Sequence, residues 1–314
     1  MSELELRAWT HDDLLSYRSN ENIVSTYRKA QTPGSKLIDQ SSIIGLQGPD
    51  PDDMRFMHSV LCQVGLPRAK IDGTEFHRKS GPAWLSVQAG MLDEGKGPIQ
   101  QPIPYGALPR LIMASISTYS VRHKTREIPL GDSAADYLRQ LGMERTGPRY
   151  KQLRTQVHAI AACRLQLGFN GRTYSGQPVE QFDAWNTDLG VSQKAAWPRW
   201  IILSEGYFSS LLRSAVPLDN RGLQILKGTA LGLDLYVWLS RKLHALGVPV
   251  TLGWVGLKEQ FGQEYIGAHG LKDFRREFLR VLRIVLMAYP QAKIDVVHGG
   301  IKLFYSPPPI TYKG

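Results

Sequence analysis

What this chain lacks narrows its chemistry first. No apolar run approaches the roughly 20 residues that a bilayer-crossing helix needs, and the N-terminus has no basic segment followed by an apolar one. These absences predict a cytoplasmic chain with no membrane partner. The 314 residues contain only two cysteines, Cys62 and Cys163, with a hundred residues between them, and neither belongs to a Cys-x-x-Cys pair. Two buried thiols fit that pattern better than a disulfide or a zinc site. No Gly-x-x-x-x-Gly-Lys-Ser/Thr loop is present, so ATP-driven work by this chain is unsupported. A His-x-His pair, of the kind that holds the metal of rolling-circle nickases, is also missing. The acidic cluster Asp50, Asp52 and Asp53 sits in a Pro-rich linker and reads as surface charge. No catalytic residue, metal or cofactor is therefore expected. Acidic residues are also scarce: 28 against 38 Lys and Arg, a net charge of +10. That imbalance points to a polyanionic partner.

The length leaves room for two domains of ordinary size. Residues 1–53 are polar and broken by Pro33-Gly34 and Pro49-Asp50-Pro51, which predicts a flexible arm with a little helix, ending in a linker. Residues 54–198 and 199–314 then read as two related domains. In the first, Phe56 to Leu66 suggests a short helix, followed by a hairpin over 74–89. A helix over Leu108–Val121, an extended piece at 127–130, helices over 134–141 and 148–163, and a hairpin around Asn170-Gly171 follow. In the second, Trp200–Ser204 reads as a strand, with Tyr207–Leu212 extending it or turning. A long helix over 226–246, a strand over 249–252 and a helix over 254–261 come next. Then comes the most informative stretch, Gly270 to Met287. At helical period Leu271, Phe274, Phe278, Val281, Leu282 and Val285 share one face, while Lys272, Arg276, Arg280 and Arg283 line the opposite one with almost no acidic relief. Two short strands around Gly299-Gly300 follow it. Helix, short strand, helix, helix, hairpin is the winged-helix order, and it occurs twice. The expected fold is α+β, with two tandem winged-helix domains behind the arm.

In that fold a cationic helix lies in the major groove, anchored on phosphates and reading a few base edges. The candidate DNA contacts in the second domain are Lys272, Arg275, Arg276, Arg280 and Arg283, with Lys293 and Lys302 flanking the wing. In the first domain they are Arg145, Arg149, Lys151, Arg154, Thr155 and Gln156. Gln is an adenine reader and Thr packs against thymine methyls. Most of the tryptophans sit among apolar neighbours and read as core; Trp185, in a polar loop, is the exception that could stack on an unpaired base.

Three strings carry a resemblance: Phe56 to Arg68, Pro104-Tyr105-Gly106-Ala107-Leu108-Pro109-Arg110-Leu111, and Glu127-Ile128-Pro129-Leu130-Gly131-Asp132-Ser133. With Leu138–Gly142, Gly147 and the basic helix after it, they resemble the RepA family of plasmid replication initiators, carried by broad-host-range plasmids of Gram-negative bacteria. From Trp200 onward the similarity lies mainly in the tandem layout. The resemblance implies binding of repeated origin sites (iterons) in duplex DNA and opening of a neighbouring AT-rich region. It also implies recruitment of the host helicase or helicase loader and initiator proteins, and self-repression as homodimers. It implies a bacterial, plasmid-DNA-associated location and action by binding and deformation, not covalent chemistry. A sliding-clamp peptide of the Gln-Leu-Ser-Leu-Phe type, found in some relatives, has no convincing copy here.

Two other readings remain beside it. A winged-helix transcriptional repressor would use the same DNA contacts; the extra arm and second module favour an initiator. A tyrosine recombinase would need His-x-x-Arg on a helix and a helical Tyr. Here His269-Gly270-Leu271-Lys272 has Lys in place of Arg, and Tyr305 falls in a strand before Pro307.

Overall fold

The computed structural model describes residues 33–93, 97–182 and 197–311. The first element is helix α1 (Pro33–Leu46). Ser41 and Ile44 are buried, and the Ser41 hydroxyl donates to the Met287 carbonyl at 2.9 Å. Residues 33–46 hold the helix that the arm was expected to contain, docked through Ser41; residues 1–32 lie outside the described residues.

Strand β1 (Met54–His58) follows, where a helix was expected. Phe56, Met57 and His58 are all buried, so the run has no alternation, and a strand covered on both faces cannot be told from a buried helix by period. The hairpin β2 (Glu75–Ser80) and β3 (Ala83–Gln88) matches its reading, and a small hairpin β4 (Met91–Asp93) and β5 (Pro98–Gln100) comes after it. Then α2 (Ala107–His123), β6 (Glu127–Pro129), α3 (Ala134–Gln140) and α4 (Gly147–Ala162) run in the expected order. Ser133 caps α3, accepting from the Asp136 N–H, which is why the helix starts there.

The hairpin after α4 is not the wing. β7 (Arg164–Phe169) and β8 (Arg172–Gly176) join β2 and β3 in a four-stranded antiparallel sheet of order β2-β3-β7-β8. The three-stranded sheet of the first module is made by β6, β9 (Val179–Phe182) and β10 (Trp200–Leu203). Ile201 stands opposite both Ile128 and Phe182. Strand β10, read as opening the second domain, is thus the central strand of the first module's sheet. Residues 183–196, with Trp185, lie outside the described residues.

Next, α5 (Glu205–Ser214) replaces the expected extension of β10. Ser204 caps it, accepting from the Tyr207 N–H. Strand β11 (Ala215–Asp219), which the sequence did not reveal, pairs antiparallel with β1, Phe56 opposite Pro217. The pair joins the segments that lead into the two modules. Helix α6 (Asn220–Leu226), not foreseen, comes before the helix predicted over 226–246, which is present as α7 (Ala230–Lys242), capped by Thr229 and continued by a 3-10 turn over Leu243–Ala245. The second module closes with β12 (Val250–Gly253), α8 (Trp254–Phe261), α9 (Gly270–Ala288), β13 (Ile294–Val297) and β14 (Gly300–Leu303). Its sheet order, β12-β14-β13, repeats β6-β10-β9: first strand, third, second. Gly300 is required there, because a Cβ would lie 1.9 Å from the Leu252 carbonyl oxygen.

Buried apolar side chains of both modules form one continuous cluster. At the junction between the modules, Arg110 of α2 grips Asp234 of α7 with two hydrogen bonds, 2.6 and 2.8 Å. Its other donors reach the Leu66, Pro67 and Gly106 carbonyls. Arg68 lies 3.9 Å from Asp234 and 3.0 Å from Glu264, and Arg78 lies 3.6 Å from Glu264. Burial is the main reason the Arg78 guanidinium is pulled down to about 10. A fully hydrogen-bonded, desolvated pair fixes geometry more than it stabilises.

Candidate nucleic-acid interface

Helix α9 is the clearest candidate surface. Phe274, Phe278, Val281, Leu282 and Val285 are buried as expected, each contributing roughly 1.5–3 kcal/mol of gross hydrophobic stabilisation. Phe278 packs against Trp254, Phe261 and Phe274, with ring centroids 5.4–6.2 Å away. Leu271 departs from the reading: it is 40 % exposed, at the solvent-facing start of the helix. The opposite face carries Lys272, Arg275, Arg276, Arg280 and Arg283, all exposed.

The stripe is less bare than the sequence suggested. Arg276 pairs with Asp273 at 3.0 Å, and Arg280 takes Glu277 in a two-pronged contact of 2.7 and 2.8 Å. Glu277 is held below the usual carboxylate range chiefly by that Arg280 hydrogen bond, and Arg280 is raised in return. These exposed i,i+3 pairs are worth a few tenths of a kcal/mol, so phosphate can replace them cheaply. They also hold two guanidiniums in fixed positions along the stripe. Arg275 rests over the Trp254 ring at 5.3 Å. Lys272 and Arg283 have no ion-pair partner among the described residues.

The flanking lysines sit at the base of the wing rather than its tip. Lys302 is in the central strand β14, opposite Asp295 and Thr251, with its ammonium 5.3 Å from the Phe304 ring centroid. The exposed Lys293 precedes β13, and its backbone N–H donates to Ser306. His298 and Gly299 make the tip and are exposed.

The first module presents a shorter surface. Arg145, just before α4, is exposed, as are Lys151 and Arg154 in the first half of the helix, where Arg149 and Thr155 are half-buried. Arg149 donates to Gln152 at 2.9 Å and the Thr155 hydroxyl to the Lys151 carbonyl at 3.0 Å. Cations gathered at a helix N-terminus suit phosphate anchoring. From Gln156 onward the helix is buried on all sides. Gln156 is therefore corrected from base reader to core residue: it is 0 % exposed, and its Oε1 accepts the Tyr105 N–H at 2.9 Å. Helical spacing placed it beside Thr155, but β4 and β9 cover that end of α4, which periodicity could not foresee.

The residues of the recombinase alternative are scattered. His269 precedes α9, His298 is in the wing turn, and Tyr305 follows β14. No group of three or more His, Cys, Asp or Glu able to hold a metal occurs among the described residues. Among the same residues, no helix is long and apolar enough to cross a membrane. Burial pushes the Cys62 and Cys163 thiols up to about 12, as inert core residues require.

Comparison with known proteins bears on the first module most directly. The model of the family described as plasmid encoded RepA protein matches residues 103–251, just under half of the chain, from the start of α2 into β12. No curated protein matches the chain. Two solved structures of RctB domains 2 and 3 are similar. One is 15 % identical, covering 76 % of this chain and 87 % of that one, with a TM-score of 0.46. The other is 14 % identical, covering 83 % and 89 %, with a TM-score of 0.48. The matched segment contains two of the three strings singled out in the sequence, together with α4: residues 103–251 are similar to the family of plasmid encoded RepA proteins.

Proposed function

We propose that this chain is an initiator that binds repeated sites in duplex origin DNA through α4 and α9, one helix from each module. The observation that carries the reading is α9: five exposed cations on one face of a helix whose other face is buried, inside a module with the strand order of the first. Lys272, Arg275, Arg276, Arg280 and Arg283 supply phosphate anchors and close base contacts. The first half of α4 supplies a second set, so one chain reads an asymmetric site through two successive groove contacts. Arg145, Arg149, Lys151, Arg154 and Thr155 are the contacts assigned there.

On this reading the chain works by binding energy and DNA deformation, with no covalent step, in the bacterial cytoplasm. It unpairs an adjoining AT-rich tract, recruits the host helicase or its loader, and as a homodimer represses its own promoter. Footprinting on supercoiled plasmid DNA, with a probe for unpaired bases and no ATP, tests this. Protection of several regularly spaced repeats beside a newly reactive AT-rich tract is expected. Protection of a single promoter-proximal inverted repeat without unpairing would make it a repressor; a nick or tyrosyl adduct would overturn both.

A further inference from the structure

A groove of about 480 Å³ runs between the modules over the edge of the buried core, and none of the candidate DNA contacts above lines it. Its floor is apolar: Leu111 and Ala114 of α2, Ile128 and Pro129 of β6, Leu141 after α3 and Leu223 of α6. Two guanidiniums, Arg55 and Arg122, line it with His123, and among the described residues no carboxylate does. Both arginines are held in place by backbone carbonyls. Arg55 Nη1 donates to the Asp52 and Met54 carbonyls, and Arg122 Nη2 to those of Pro51 and Met54, at 2.7–3.0 Å. Each keeps further N–H groups for a ligand. Their nearby acids are poor competitors: Asp52 is 97 % exposed and 3.8 Å from Arg122, and Asp53 is shared with Arg221. Burial, then the Arg122 charge, pull the Arg55 pKa down, and Asp53 and Asp52 offset this only in part. The amides of Gln140, Asn220 and Gln224 line the groove as well.

We infer that this groove docks a short acidic segment of a partner protein, with two carboxylates at Arg55 and Arg122 and a leucine-like side chain on the floor. Planar guanidiniums pair with carboxylates two bonds at a time, the floor supplies apolar burial, and side-chain amides satisfy an extended backbone. The inference deepens the initiator reading and rests on it for what the partner does: the segment would belong to a replication protein brought to the origin. Because the lining draws on both modules, the occupant would also clasp them together.

The test is a fluorescence-anisotropy titration of the full chain with a labelled Gly-Asp-Asp-Leu-Leu-Asp-Glu peptide and its Asn/Gln counterpart. Saturating origin duplex occupies the cationic helices, and a second titration omits the duplex. Saturable binding of the acidic peptide only is expected, weakened at least tenfold by Arg55→Gln and by Arg122→Gln. Gln140→Tyr, which crowds the groove without touching either arginine, should weaken it as well and guards against a folding defect. No saturable binding, or equal binding by all three variants, would overturn the inference. Displacement of the peptide by ATP or by a short oligo-dT would show a nucleotide site instead. Failure of the duplex to bind, with the peptide result intact, would refute only the initiator reading.

Discussion

Replacing Asp234 by Asn should cost this protein more than any change on its cationic surface. Arg110 and Asp234 are both nearly fully buried and form the only direct ion pair between α2 and α7 among the described residues. With Asn the shape survives, but Arg110 is left charged, dehydrated and short of its counter-ion. Breaking a buried pair in this way costs about 3–5 kcal/mol, a fall in Tm of roughly 5–10 °C for a chain of this size. The nearby Arg68 and Arg78 worsen the loss, because Asp234 also offsets their charge. The double change Arg110→Met with Asp234→Leu removes both charges and should recover most of the stability. Urea unfolding followed by tryptophan fluorescence and circular dichroism would measure all three variants against wild type. If Asp234→Asn lay within about 1 kcal/mol of wild type, or the double variant were as unstable as the sum of the singles, the account of this junction would be refuted.

Two further outcomes follow from buried polar groups. His58 accepts the Val60 N–H at Nδ1 and donates from Nε2 to Ser210, so its neutral form fits the site, and burial pulls it down to about 4. The unfolded chain takes up a proton near pH 6.5 that the folded one refuses until about pH 4, so stability is lost as pH falls through that window. Between pH 7 and 5 the loss should be about 2 kcal/mol in urea titrations, and His58→Gln should flatten it. For Gln156→Ala, truncation leaves the Tyr105 N–H unpaired in the core and should cost about 1–3 kcal/mol of stability. Affinity for the origin repeat should stay unchanged under conditions where the variant is folded; a selective loss of affinity for the repeat over unrelated duplex would return Gln156 to the DNA surface.

Much of this architecture was legible because local and tertiary demands agreed. The period of α9 named its buried face apart from Leu271, and Ser133, Gly142 and Pro148 marked the ends of α3 and the start of α4. Long-range pairing was not legible. Strands β1 and β11 are separated by more than 150 residues, and each reads alone as a generic apolar run. Strands β7 and β8 form the hairpin that the sequence announces, yet it is spent on the sheet with β2 and β3, and the first wing comes one hairpin later. On the candidate surface, the cations were visible by spacing. Their partners Asp273 and Glu277 flank the stripe at i,i+3, a spacing that permits pairing without showing which rotamers make it. The fate of Gln156 was invisible, since only the strands that cover α4 decide which of its turns meet water.

The most direct test of the central claim is the salt dependence of binding to a single origin repeat, for wild type and for Arg276→Ala with Arg280→Ala. If α9 lies on the duplex, the double variant loses specific binding, and its residual log K against log salt slope is shallower by about two. Its thermal unfolding stays close to wild type, because both side chains are exposed and their i,i+3 pairs are weak. An unchanged affinity and an unchanged slope would mean that this helix does not touch DNA.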